Sequence, residues 1–109
     1  MPREKFQTLT EQMFYILLSL RTPCCGIDIM AQVEQITKGR VPIGPGTLYN
    51  LLDSFRLAGM IEETASFGRK RTYVLTEKGK QALREECQRM QQQLQDYQNL
   101  MGEQGGEKV

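Results

Sequence analysis

The sequence predicts a mainly α-helical fold with a small β-hairpin: a winged helix-turn-helix with a long C-terminal dimerisation helix. Three observations point to this class. An amphipathic helix occupies about residues 44–59, a hairpin pattern with a basic tip follows it, and an apolar heptad repeat continues to residue 101. We expect residues 1–76 to form the winged helix, residues 77–101 the dimerisation helix and residues 102–109 a mobile tail.

The first helix is predicted from Thr8 to Arg21, because Thr8 and Glu11 have the spacing of a capping box. Its core-facing stripe comprises Leu9, Met13, Ile16, Leu17 and Leu20. Three more apolar side chains lie on its other faces: Phe14, Tyr15 and Leu18. A helix that is apolar nearly all round has to be covered on more than one side, which favours contact with a second subunit or a ligand. The alternative is a few exposed apolar side chains without consequence.

A second helix is predicted from Gly26 to Lys38, after the break at Thr22-Pro23, and Gly39 is expected to end it. Its inward-facing residues are Ile29, Met30, Val33 and Ile36. The loop 40–43 then leads to the third helix.

The third helix has clear start and stop signals. Gly44 can occupy the N-cap and Pro45 the first helical position, where a missing N–H costs nothing. Gly59 suits the left-handed backbone that often follows a helix. Its apolar stripe consists of Leu48, Leu51, Leu52 and Phe55. The opposite face carries mostly groups able to form hydrogen bonds: Thr47, Tyr49, Asn50, Asp53 and Arg56.

Two short strands are predicted next, Ile61–Ser66 and Arg71–Thr76, joined by a tip of Gly68, Arg69 and Lys70. A polar-faced helix followed by a basic-tipped hairpin places one helix in a DNA major groove and a basic loop on the phosphates beside it. Residues 1–80 hold 11 Lys and Arg against 8 Asp and Glu, whereas residues 81–109 hold 3 against 5. The basic excess therefore belongs to the predicted winged helix, although such short basic runs also occur as plain solvated surface.

These features predict two groups of DNA-contacting residues. The third helix would present four of them to the groove or the phosphates: Thr47, Tyr49, Asn50 and Ser54. The wing would hold the neighbouring backbone or minor groove with three cations: Arg69, Lys70 and Arg71. Asn is suited to a bidentate contact with adenine, whereas Tyr and Thr more often bind phosphate oxygens. Tyr49 has an alternative role as a packing residue between the third helix and the wing.

The last helix is predicted to start at the cap Thr76 and to run to about Met101. Six of its residues form an apolar heptad stripe: Leu83, Cys87, Met90, Leu94, Tyr97 and Met101. Almost nothing else in the helix is apolar. The stripe extends over about five turns, longer than a small winged helix can cover, which favours a partner helix over packing on its own domain. Together with Phe14, Tyr15 and Leu18, this stripe is the predicted dimer interface.

Composition argues against several function classes. A chain of 109 residues with 39 % hydrophobic residues forms one small, marginally stable domain. The longest apolar run, residues 13–20, is too short to span a bilayer, and the start lacks a signal region, so a cytoplasmic location without membrane contact is expected. The sequence has no histidine, clustered carboxylate pair, phosphate loop or nucleophile motif, so neither an enzyme nor a cofactor or metal site is expected.

Three cysteines, Cys24, Cys25 and Cys87, do not make a disulfide framework. Reduced, partly buried thiols are the simpler interpretation. A thiol-based redox sensor stays open as the alternative.

Several motifs occur together between Leu9 and Leu83. They are Leu9-Thr10-Glu11, Gly26, Gly44-Pro45-Gly46-Thr47-Leu48-Tyr49 with Leu52, Gly59-Met60-Ile61, and the wing from Arg69 to Gly79. This combination resembles the PadR-like transcriptional regulators. Two features depart from the pattern: Cys24-Cys25 stands where many relatives have a residue followed by His, and the wing is short.

The resemblance implies a homodimeric winged-helix repressor whose last and first helices build the dimer. In some relatives, planar aromatic compounds bind in a cleft at the dimer centre, often against tryptophan, which this chain lacks. Here such a cleft would be lined by Phe14, Tyr15, Met90, Leu94 and Tyr97, with plain interface core as the alternative.

The leading prediction is therefore a sequence-specific DNA-binding regulator, a homodimeric repressor whose partners are double-stranded DNA, a second copy of itself and a small aromatic effector. The runner-up is a winged-helix protein-interaction module without DNA binding. An acidic outer face on the third helix would favour that alternative, but only Asp53 is acidic there.

Overall fold

Helices and strands follow one another in the order α1, β1, α2, α3, β2, β3 and α4. The computed structural model describes residues 8–67 and 70–102. The helices are α1 (Glu11–Ser19), α2 (Gly26–Thr37), α3 (Pro45–Leu57) and α4 (Glu77–Met101), and the strands are β1 (Cys24–Cys25), β2 (Ile61–Phe67) and β3 (Lys70–Leu75). The mainly helical fold with a small sheet is confirmed. None of the helices in the described ranges combines the length and apolar content needed to cross a membrane.

The strands form one antiparallel sheet in the order β1-β3-β2. In the central strand β3, Leu75 lies opposite Ile61 and Tyr73 lies opposite Cys24. The sequence does not reveal β1, because a two-residue strand is too short to show an alternation of apolar and polar residues. The hairpin reaches one residue further toward its tip on each strand than predicted.

The start of α1 differs from the prediction. Thr10, not Thr8, is the N-cap, and its hydroxyl accepts a hydrogen bond from the Met13 N–H at 3.2 Å. The predicted capping box is therefore wrong, because the helix begins at Glu11 itself. The end is also earlier than Arg21, since α1 stops at Ser19.

The other helix ends follow the predicted signals closely. α3 starts with Gly44 as N-cap and Pro45 in the first helical turn, and Gly59, with φ of 78°, follows its end. α2 ends one residue early, because Lys38 already has a left-handed backbone with φ of 53°.

The core lies between the first three helices and the sheet. Its most buried large side chains are Ile16, Leu17, Leu20, Ile29, Val33, Leu48, Leu52, Phe55 and Ile61. Ile36 is 43 % exposed, so the prediction that it faces inward is wrong. Thr37 occupies the buried position instead, where its hydroxyl donates to the Val33 carbonyl at 2.8 Å and accepts from the Val41 N–H at 3.3 Å.

The first part of α4 is fixed to the rest of the chain. Thr76 caps the helix as predicted, accepting a hydrogen bond from the Gly79 N–H at 3.2 Å. Leu83 packs against the core. One turn later the buried carboxylate of Glu86 accepts a hydrogen bond from the Leu9 N–H at 3.2 Å and pairs with Arg89. This carboxylate therefore fastens α4 to the start of α1.

Candidate nucleic-acid interface

The outer face of α3 presents polar side chains to solvent. Thr47, Tyr49 and Asn50 are exposed, whereas Ser54 is half-buried. The three buried side chains of the helix, Leu48, Leu52 and Phe55, lie on the opposite face. α3 is therefore anchored from one side and leaves the other free for a ligand.

Tyr49 lies where α2, α3 and β3 meet. A Cβ placed on Gly26 would lie only 2.2 Å from the Tyr49 hydroxyl oxygen, so the missing side chain at Gly26 makes room for this ring. Tyr49 and Gly26 also line a cleft of about 290 Å³ together with Tyr73 and the wing residues Lys70 and Arg71. Tyr49 is nevertheless 48 % exposed. The ring of Tyr49 thus lies against the start of α2, in a cleft that it shares with the wing, and still presents part of its surface to solvent.

The wing cations extend this surface. Lys70 and Arg71 are exposed and lie at the distal end of the hairpin, where they pair with Phe67 and Ser66 across the strands. The Arg71 Nε lies 3.6 Å from a Glu63 carboxylate oxygen. The Arg71 side chain is 68 % exposed and that of Glu63 is 36 % exposed, so the pair is weak and leaves the guanidinium available to another anion. Arg69 lies outside the described residues.

A second cleft, of about 340 Å³, separates α3 from β3. Asn50, Asp53 and Arg56 line it from the helix, and Arg71 lines it from the strand. An Arg56 guanidinium N–H donates to the Asp53 carboxylate at 2.7 Å. The sequence places Asp53 and Arg56 on the outer face but does not by itself assign them a role there. The signal for their pairing is the spacing of opposite charges three residues apart on a helix.

The cysteines fall into two environments. Cys24 and Cys25 are buried in β1, whereas Cys87 is exposed on α4. Burial raises the pKa of the Cys24 thiol, and the nearby Asp28 carboxylate and Cys25 add to the effect. A raised pKa lowers the fraction of reactive thiolate, so Cys24 has the properties of a structural thiol rather than a reactive one.

The predicted dimer residues on α1 are half-buried. Phe14 and Tyr15 make an edge-to-face ring contact with centroids 5.3 Å apart, and the Tyr15 hydroxyl accepts a hydrogen bond from Arg40 at 3.0 Å. Leu18 is likewise half-buried.

Beyond Leu83, the heptad stripe of α4 faces solvent in the single chain. Cys87 is exposed, and four large apolar residues are 39 to 62 % exposed: Met90, Leu94, Tyr97 and Met101. Of the six stripe residues, Leu83 is the one that packs against the described core cluster.

An exposed polar helix beside a cationic hairpin is the arrangement of a winged-helix transcriptional regulator. Residues 16–85 match the sequence model of the transcriptional regulator PadR-like family. The chain belongs to this family, as the sequence motifs predicted.

Solved structures support the same fold. The chain is similar to a PadR family transcriptional regulator from Eggerthella lenta, with 24 % identity, a TM-score of 0.66 and coverage of 90 % of this chain and 83 % of that one. A transcriptional regulator from Clostridium thermocellum is 18 % identical, with a TM-score of 0.69 and coverage of 84 % of this chain and 97 % of that one. H. salinarum RosR is 24 % identical, with a TM-score of 0.67 and coverage of 78 % of this chain and 76 % of that one. No curated protein matches the chain.

Proposed function

We propose that this transcriptional regulator is a homodimeric repressor that binds DNA in a sequence-specific manner. Residues 1–76 contact the DNA, and residues 77–101 join the two copies. The observation that carries the proposal is the common surface of α3 and β3, on which Asn50 and Tyr49 lie beside Lys70 and Arg71. Helix side chains that read bases thus share one surface with cations that bind phosphate.

The proposed contacts divide by chemistry. Asn50 reads a base edge, for which adenine is the best partner. Thr47, Tyr49 and Ser54 bind phosphate oxygens at the margins of α3, and Arg69, Lys70 and Arg71 bind the backbone beside the groove. Binding to DNA would block transcription by occupying the promoter.

Selection of bound duplexes from a random DNA pool tests this proposal most completely. We expect enrichment of a pseudo-palindrome with half-sites about one helical turn, ~34 Å, apart, because each copy offers one α3. A pool that stays random after repeated selection would overturn sequence-specific binding.

Replacing Arg69, Lys70 and Arg71 together by Ala should weaken binding to every duplex by a similar factor. The slope of log affinity against log salt should flatten by about one unit for each phosphate that the variant no longer binds, summed over both copies. Fluorescence anisotropy over a range of salt concentrations measures both quantities. Arg84→Ala, which removes an exposed cation of α4, is the control and should leave the slope unchanged. Unaltered binding by the triple variant at every salt concentration would show that the wing does not touch DNA.

We also propose that a small aromatic effector binds in a cleft at the dimer axis and thereby releases the DNA. The cleft would be lined by Phe14, Tyr15, Met90, Leu94 and Tyr97. The exposed stripe of α4 and the half-buried rings of α1 support this location. Planar aromatic compounds should raise the melting temperature, by an amount equivalent to about 2.7 kcal/mol at a hundred times the Kd. The double variant Phe14→Ala and Tyr97→Ala should lose this shift. A shift that persists in the double variant would exclude the proposed cleft.

A further inference from the structure

The outermost line of residues along α3 contains an acid at its centre. Gly46, Asn50, Asp53 and Leu57 follow one another at spacings of four, three and four residues, and all four are exposed. Such spacing places them on one side of the helix, opposite the buried residues. A carboxylate in the middle of a surface that meets a polyanion lowers affinity for any DNA, unless it gains a specific partner there.

Among the residues that the structure describes, one cation holds the Asp53 carboxylate and one of its oxygens stays free. Oδ1 accepts a hydrogen bond from Arg56 at 2.7 Å. Oδ2 accepts no hydrogen bond from any other residue in the described ranges. The two side chains are 61 % and 45 % exposed, so their pairing adds little to stability. The pair instead offsets part of the charge of Asp53 and fixes the direction of its carboxylate.

A carboxylate can only accept hydrogen bonds, which limits the bases it can read. In the major groove, cytosine presents the N4 amino group as a donor, whereas guanine presents O6 and N7 and thymine presents O4, all acceptors. Adenine offers one donor beside the acceptor N7, an edge that suits the amide of Asn50 better than a carboxylate. Cytosine is therefore the base that fits Asp53.

We propose that Asp53 is a specificity-determining residue that accepts a hydrogen bond from N4 of a cytosine in each half-site, near the base read by Asn50. Arg56 is the positioning residue that holds the carboxylate. This inference rests on the proposed function, since it requires α3 to enter the major groove. In this role, the acid on the outer face of α3 lowers the affinity for half-sites that carry guanine or thymine at that position.

Selection from a random duplex pool with the parent protein and with Asp53→Asn tests the assignment. The parent should enrich a cytosine at one position of each half-site. Asp53→Asn keeps the shape of the side chain but adds an N–H₂ donor, so the preference at that position should move to adenine. The change in relative affinity should be about tenfold, the order of one base contact, while every other position keeps its preference. Arg56→Gln should weaken the cytosine preference without moving it to another base, and Arg56→Lys should restore part of it.

Glu34→Gln is the matched control, because it removes one exposed negative charge from α2. If Asp53→Asn and Glu34→Gln both leave the enriched sequence unchanged and alter only overall affinity, Asp53 acts through charge alone and the assignment is overturned. If the parent enriches no sequence at all, the proposed function itself fails, and this inference fails with it. The two failures are thus separate results of one experiment.

Discussion

Leu94→Asp is expected to give a folded monomer that no longer binds DNA specifically. Leu94 is 55 % exposed in the single chain, so the substitution should change the stability of the monomer by no more than about 0.5 kcal/mol. In a pair of α4 helices the same side chain would be buried at the seam, where an unpaired carboxylate costs several kcal/mol. One copy of α3 reads only one half-site, so a monomer binds without specificity even though its α3 and wing are intact.

Analytical ultracentrifugation at micromolar concentration measures the first effect, and anisotropy with the selected duplex measures the second. Asn99→Asp is the matched control, because it adds the same charge five residues further along α4, on its polar side, where Asn99 is exposed. The control should remain a dimer and bind DNA. A stable dimer of Leu94→Asp would exclude the heptad stripe as the interface.

Gly79→Ala should lower the free energy of unfolding by at least about 1–3 kcal/mol. A Cβ at this position would lie 2.1 Å from the Met60 carbonyl oxygen and 2.9 Å from a Leu75 methyl carbon. That carbonyl cannot move away easily, since it accepts a hydrogen bond from the Thr76 N–H at 3.0 Å. Helix propensity alone predicts the opposite sign, because Ala is better than Gly inside a helix by about 1 kcal/mol.

Gly46→Ala is the control for propensity. Gly46 also lies in a helix, but nothing lies within 4 Å of the Cβ that the substitution would add. This variant should be equally stable or more stable, by up to about 1 kcal/mol. Thermal unfolding at one protein concentration measures both variants. Equal stabilisation of both would show that α4 does not approach the start of β2 as closely as described.

The elements with local signals are the ones that the sequence predicts well. Gly44-Pro45 and Gly59 bracket α3, and the cap at Thr76 and the heptad spacing define α4, because capping and periodicity act within a few residues of the chain. The sequence prediction places the N-cap of α1 at Thr8, two residues before Thr10, which is the N-cap in the structure. The capping-box spacing from Thr8 to Glu11 favours Thr8, whereas Thr10 caps the helix through its own hydroxyl, two residues later.

The features that the sequence does not reveal depend on contacts between distant residues. β1 exists because Cys24 meets Tyr73 across the sheet, and Glu86 is buried because it binds the Leu9 N–H, 77 residues away. Gly26 leaves room for the ring of Tyr49. The sequence does not show this contact, because it depends on how α2 packs against α3. Of the candidate site, the polar face of α3, including Asp53 and Arg56, and the basic wing were predictable from the sequence, whereas the clefts between α3 and the wing were not.

In the proposed complex, one dimer places its two copies of α3 in the major groove on the same face of a duplex. The spacing of the half-sites tests this directly. Inserting about five base pairs, half a helical turn, between the half-sites of the selected duplex turns them to opposite faces. We predict that affinity, measured by anisotropy, falls toward that for unrelated DNA and recovers in part when a full turn of about ten base pairs is inserted. Equal affinity at all three spacings would contradict a dimer that reads both half-sites at once.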